Sequence, residues 1–322
     1  MRFNPKARLD TSRVRDGGGG GLGGGGMGGG GTRIPLPGGT KAGGGLGLVL
    51  IIVVLIVSQC SGVDLTGALG GTGAGGYSTS RFQGDGSAVY QGCTTGQDAN
   101  DHPDTCGVVA VENSLVAYWQ DTLAQQAPNV KFQPEQAIVT FSGSAASGCG
   151  QASSAMGPFY CPNDQTIYFD PTFFTDILQK QLNGPSGAFV EPYVIGHEFG
   201  HHIQNLLGTM SKVKTQQGPN SDSVRLELQA DCYAGMWTRS ATKTEDSQGN
   251  VLIEDLTDQD IQDAIAAAKS VGDDTIQKET TGQVNPEQWT HGSSAARVRW
   301  FQVGYQNGTL DACNTFNGQP VE

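Results

Sequence analysis

Residues 108–126 (VVAVENSLVAYWQDTLAQQ) place Val111, Leu115, Trp119 and Leu123 at four-residue intervals, the spacing of an amphipathic helix. Two short apolar runs, 137–141 and 166–170, read as strands, the second turning Ile167 and Phe169 inward. Further helices are predicted over 192–207, opened by Pro192 and stopped by Gly208, and over 224–241, 258–270 and 294–306. Helices dominate and strands are few, so the predicted class is α+β, helix-rich with a small sheet.

Ahead of residue 87 this patterning gives way to glycine. Residues 17–47 contain 19 of the 49 glycines, a composition that cannot bury a core and predicts a flexible tail over 1–45. The uncharged run 46–57 (LGLVLIIVVLIV), with its small-residue flanks, reaches about 20 residues, enough for one transmembrane helix, placed at 46–59. A cleaved signal peptide is the rival reading, disfavoured by the roughly 45 residues that precede the run. Gln59 occupies the position before Cys60 where a lipoprotein signal would carry a small residue. Residues 60–86 read as a linker and 87–322 as a single domain, large enough to bury a sizeable core.

Charge adds direction. Residues 1–45 carry seven Lys or Arg against Asp10 and Asp16, whereas the whole chain is at -12. A basic flank before an apolar run marks the cytoplasmic side, so the expected topology is a single-pass protein of the cell membrane with its domain outside. The acidic remainder repels phosphates and argues against nucleic acid as a partner. Setting aside Cys60, six cysteines remain at 93, 106, 149, 161, 232 and 313, an even number suited to disulfides in an exported domain. Short polar loops favour pairing Cys93 with Cys106 and Cys149 with Cys161, which leaves Cys232 with Cys313. No pair has the CxxC spacing of a cysteine zinc site.

The decisive chemistry is His197-Glu198-Phe199-Gly200-His201 on the helix that starts near Pro192. Residues four apart share a helical face, so both imidazoles can meet one Zn2+ while Glu198 reaches the metal's water as general base. A third ligand is needed. The metzincin position, six residues after His201, is Leu207 and is excluded; the candidate is Glu227, with Asp231 four residues on, able to accept the N–H of a ligating histidine. That is a gluzincin arrangement, and an aspzincin-like site with Asp231 on the metal is its minor rival. For the oxyanion, His291 followed by Arg297 is the best donor candidate, with Tyr193 and Tyr233 as weaker ones. His202 points off the metal face, and His102 sits in a cysteine-closed loop.

These segments resemble the YpfJ-type neutral zinc metallopeptidases: 62–67 (GVDLTG), 196–204 (GHEFGHHIQ), 227–235 (ELQADCYAG), 290–304 (THGSSAARVRWFQVG) and 313–316 (CNTF). The resemblance spans nearly the whole chain and implies a zincin-like fold with a zinc cofactor, and it supports His197, Glu198 and His201. A histidine followed six residues later by arginine, as His291 and Arg297, also resembles HtpX-type membrane peptidases, where such a pair lies in the active site. The long glycine tail is outside both patterns. The expected function is hydrolysis of peptide bonds in a peptide or protein substrate. Two other readings are an inactive zinc-binding scaffold, which would not need Glu198, and hydrolysis of a non-peptide amide in the cell envelope.

Overall fold

A computed structural model describes residues 1–19 and 86–322. The transmembrane anchor expected at 46–59 lies outside the described residues, as does the linker apart from Gly86. Among the described residues, no helix is long and apolar enough to cross a membrane.

Strands β1 (Arg2–Phe3) and β2 (Val14–Gly19) precede α1 (Gly96–Asp101) and the long α2 (Pro103–Gln126). Strand β3 (Ala137–Ser142) follows, then the hairpin β4 (Ser144–Ser147) and β5 (Gly150–Ser153), β6 (Phe159–Cys161) and β7 (Thr166–Phe169). The remainder is helical: α3 (Val190–Leu206), α4 (Asp222–Ser240), the short strand β8 (Ile253–Asp255), α5 (Asp258–Ser270), α6 (Asp273–Thr281) and α7 (Ser294–Asn307). The fold is thus mixed helix and small sheet, with the helical segments close to their predicted bounds. The sheet order is β2-β3-β7-β6, parallel except for the antiparallel edge strand β6.

Strand β7 differs from the one-sided expectation, since Tyr168 is as buried as Ile167 and Phe169. The hairpin β4–β5 explains it. Its Ala152 and Cys149 join Val139, Phe141, Phe159 and Tyr168 in a second small core on the far face of the sheet. A sheet covered on both faces has no reason to alternate.

The flexible tail expected over 1–45 is corrected for residues 1–19. Strand β2 pairs with β3 over Val14 to Gly19, and β1 pairs with β8. Val14 is fully buried, and Arg13 donates to the buried Glu112 of α2. Backbone pairing, the buried Phe3, Ala7 and Val14, and the Met1 ammonium on Asp260 hold the segment; its short apolar content left no periodic trace.

All three expected disulfides form: Cys93–Cys106, Cys149–Cys161 and Cys232–Cys313. The last ties α4 to the C-terminal segment across 81 residues of sequence. Helices α4 and α7 approach closely through glycines: a Cβ on Gly235 would lie 2.1 Å from the Phe301 carbonyl oxygen, and one on Gly304 would lie 1.8 Å from that of Cys232. Any larger residue at either position would push α7, and Arg297 with it, away from α4.

His202 of α3 fastens that helix to the sheet. Its Nε2 donates to the Gln133 carbonyl at 2.8 Å and its Nδ1 accepts from the Tyr160 hydroxyl of β6 at 3.0 Å. Burial is the main cause that lowers its pKa from 6.5 to about 4, against the opposing Gln133 hydrogen bond. Between those values the unfolded chain takes up a proton that the folded one refuses, so stability falls as pH falls through 6.5 toward 4. The loss from this group is on the order of 3 kcal/mol. Urea melts at neutral pH and near pH 4 should therefore show a smaller acid loss for His202→Gln than for the wild type. An equal loss in both would remove His202 as the cause.

Candidate metal centre

The site is built where α3 crosses α4. Helix α3 carries His197, Glu198 and His201, and α4 carries Glu227 and Asp231. Gly200 permits the crossing, because a Cβ there would already lie 3.1 Å from the Ala230 carbonyl oxygen. Four-residue spacing on each helix then turns both imidazoles and both carboxylates into one buried volume.

His197 Nε2 lies 3.2 Å from Glu227 Oε2, and His201 Nε2 lies 3.4 Å from Glu227 Oε1. The two rings stand perpendicular with centroids 4.8 Å apart. One ligand atom from each of His197, His201 and Glu227 falls within 4.8 Å of the others, and all three residues are buried. The opposite ring nitrogens are occupied by acceptors: Asp231 Oδ1 at 2.8 Å from His197 Nδ1, and Gln204 Oε1 at 2.8 Å from His201 Nδ1. With Nδ1 donating on each ring, Nε2 is the nitrogen left for a metal.

Asp231 is fully buried and heavily hydrogen-bonded. Besides His197 it accepts from the Tyr193 hydroxyl at 2.6 Å and from Arg297 through Nε at 2.8 Å and a second nitrogen at 2.9 Å. Burial alone would raise its pKa; the charges of Arg297 and His197 outweigh that and bring it down to about 2. Burial likewise opposes charge on His197, yet Asp231 and Glu227 raise its pKa to about 10. Burial also works against a charged Glu227, but the neighbouring His201, His291 and His197 hold it well below the usual carboxylate range. Two imidazoles and a carboxylate, buried and with their outer atoms fixed, are a donor set that suits Zn2+. A metal taking Nε2 of His197 must displace its proton, so affinity rises with pH.

The structure separates the remaining candidates. Glu198 sits beside the donor set, nearly buried, with no side-chain hydrogen bond to its carboxylate among the described residues. His291 faces the site closely enough for its charge to act on Glu227. Its Nδ1 lies 2.9 Å from Thr290 Oγ1, and Asp273 Oδ2 accepts the backbone N–H groups of Thr290, His291 and Gly292. Arg297 lies near enough for its charge to act on His291. Its guanidinium is buried behind Asp231 and bonds the Val271 carbonyl as well, which makes it a positioning residue. Tyr193 spends its hydroxyl on Asp231, and Tyr233 packs against Trp119. His102 is exposed at the start of α2.

Three contributors escaped the sequence reading. Gln204 lies one turn after His201 and could have been found from that spacing, whereas Asp273 and the role of Tyr193 depend on loops and helices distant in sequence.

Comparison with known proteins identifies the family. The family model described as "Putative neutral zinc metallopeptidase" matches residues 3–316. The chain is 50% identical over 228 residues to "Uncharacterized protein Rv2575" of Mycobacterium tuberculosis, covering 70% of this chain and 74% of that one. It is 37% identical over 287 residues to "Uncharacterized protein YpfJ" of Escherichia coli K12, covering 87% and 90% of the two chains. No solved structure matches it. Matched from its third residue almost to its end, and carrying a buried His/His/Glu group, the chain belongs to the neutral zinc metallopeptidase family.

Proposed function

We propose that the protein is a zinc-dependent peptidase of zincin-like fold and gluzincin type, with His197, His201 and Glu227 as ligands. The single observation that carries this reading is the convergence of those three buried donors beside Glu198, each imidazole backed by its own acceptor. The antiparallel edge strand β6, joined to α3 through Tyr160 and His202, supports the zincin-like comparison. When bound, zinc supplies Lewis acidity toward water and toward the scissile carbonyl. Glu198 takes the proton of the attacking water and returns it to the leaving amine. His291, clamped by Asp273 and Thr290 and facing Glu227, donates to the developing oxyanion. Asp231 keeps His197 in place and is itself held by Arg297.

The expected localisation is amended in the same proposal. Three disulfides support an oxidising, non-cytoplasmic compartment, and the apolar run 46–57 supports attachment to the membrane. Strand β2 is hydrogen-bonded to β3, which supports residues 1–19 lying on the same side of the membrane as the domain. We therefore place residues 1–19 with the catalytic domain rather than across the bilayer from it.

Two measurements test the proposal. His197→Ala, His201→Ala and Glu227→Ala should each lose zinc and peptide-library cleavage together, whereas Glu198→Gln should keep zinc and lose cleavage. Asp231→Asn should weaken zinc affinity roughly 10- to 100-fold. Full zinc in Glu227→Ala with none in Asp231→Asn would move the third ligand to Asp231. For topology, Lys6→Cys and Lys180→Cys, both exposed and made in a Cys60→Ser background, should react with an impermeant maleimide from the same side of the membrane. Labelling from opposite sides would refute the shared compartment.

A further inference from the structure

His201 has to present Nε2 to the metal, and an imidazole does so only when its Nδ1 carries the proton. The structure contains a device that decides this. His201 Nδ1 faces Gln204 Oε1 at 2.8 Å, and Gln204 is fully buried. A glutamine amide can be turned either way, and by itself this contact would not say which atom faces the histidine. Its other end does. Gln204 Nε2 lies 2.7 Å from the Leu226 carbonyl oxygen, which can only accept, so the nitrogen must stand there and the oxygen must face His201.

The second proton of that nitrogen points to Gln229 Oε1 at 3.1 Å. Gln229 could also be turned, but its own Nε2 lies 2.9 Å from the Cys313 carbonyl oxygen, again an acceptor only. The hydrogen bonds therefore run in one direction: His201 to Gln204, Gln204 to Gln229, Gln229 to Cys313. Every member is buried, and a reversed amide at either glutamine would set two acceptors against each other at substantial cost. Cys313 is held by its disulfide to Cys232, the residue after Asp231 on α4. Gln204 also touches the carbonyl of Leu226, the residue before Glu227, so one side chain joins two of the three ligands.

We propose that Gln204 is the positioning residue for His201, and that the backbone carbonyls of Leu226 and Cys313 set its orientation and so fix His201 as the Nδ1–H tautomer. The inference rests on the reading of His201 as a zinc ligand. It assigns the C-terminal segment a task at the metal centre: an acceptor on that segment determines which nitrogen of a histidine on α3 is free. Asp231 performs the corresponding task for His197 through charge, whereas Gln204 performs it with a neutral amide.

The test uses the full chain with 15N-labelled histidine, as wild type, Gln204→Leu, Gln204→Met and Gln229→Leu. In metal-free protein the wild-type His201 signal should be that of the Nδ1–H tautomer, and both Gln204 variants should shift it toward Nε2–H. Zinc affinity, measured by chelator competition, should fall roughly 10- to 100-fold in the Gln204 variants and by less in Gln229→Leu. A wild-type tautomer and wild-type zinc affinity in a folded Gln204 variant would overturn the proposal. Should neither Gln204 variant fold, the metal-free wild type decides, since a His201 signal of the Nε2–H tautomer there would overturn the proposal equally. A wild type that binds no zinc, or a His201→Ala variant that binds it as tightly, refutes the ligand reading instead. The metal-free tautomer measurement then still judges Gln204 by itself.

Discussion

The ion pair between Asp231 and Arg297 is the interaction on which the centre depends. Both side chains are buried, and each alone would carry a large desolvation penalty. Together they satisfy each other: two guanidinium nitrogens meet the carboxylate, and Tyr193 and His197 take its remaining capacity. Such a pair is weak evidence for stability but strong evidence of a defined geometry, because a partly satisfied buried network is worse than none. Arg297 reaches Asp231 only because Gly235 and Gly304 let α7 lie against the backbone of α4. A helix contact made by missing side chains thus bears on the position of His197 through Asp231.

Electrostatics along α3 divides two histidines five residues apart. His197 meets two carboxylates and is held toward the protonated form, whereas His202 meets a carbonyl and a tyrosine hydroxyl and is held neutral by burial. The same residue type, on the same helix and likewise buried, belongs to the candidate donor set in one place and fastens the helix in the other. What differs is the charge on the neighbouring element, α4 for His197 and the sheet edge for His202. His201 sits between these cases, facing an amide.

The N-terminal segment shows how a fold can recruit residues that carry little hydrophobic information. Strand β2 contributes one buried valine and three glycines, and its attachment comes from backbone pairing with β3 and from Arg13 on Glu112. Backbone hydrogen bonds do not depend on side-chain identity, so composition gives no warning of them. Once the strand is in place, it constrains topology: the chain on both sides of residues 20–85 shares one sheet.

By itself the sequence determined whatever depends on short-range spacing. The four-residue intervals in His197–His201 and Glu227–Asp231 put the right atoms on single helical faces, and helix periodicity marked α2, α3, α4, α5 and α7 close to their observed bounds. Short loops anticipated two of the cysteine pairs, and the third was the pair they left. Tertiary structure alone decided what depends on contacts between distant segments. It paired Arg297 with Asp231, and it gave Tyr193 to that same carboxylate. It buried both faces of β7 and drew residues 1–19 into the sheet. The physical reason is common to all of these: a hydrogen bond or a buried charge is assigned by whichever partner lies within about 3 Å, and that distance is not encoded by position along the chain.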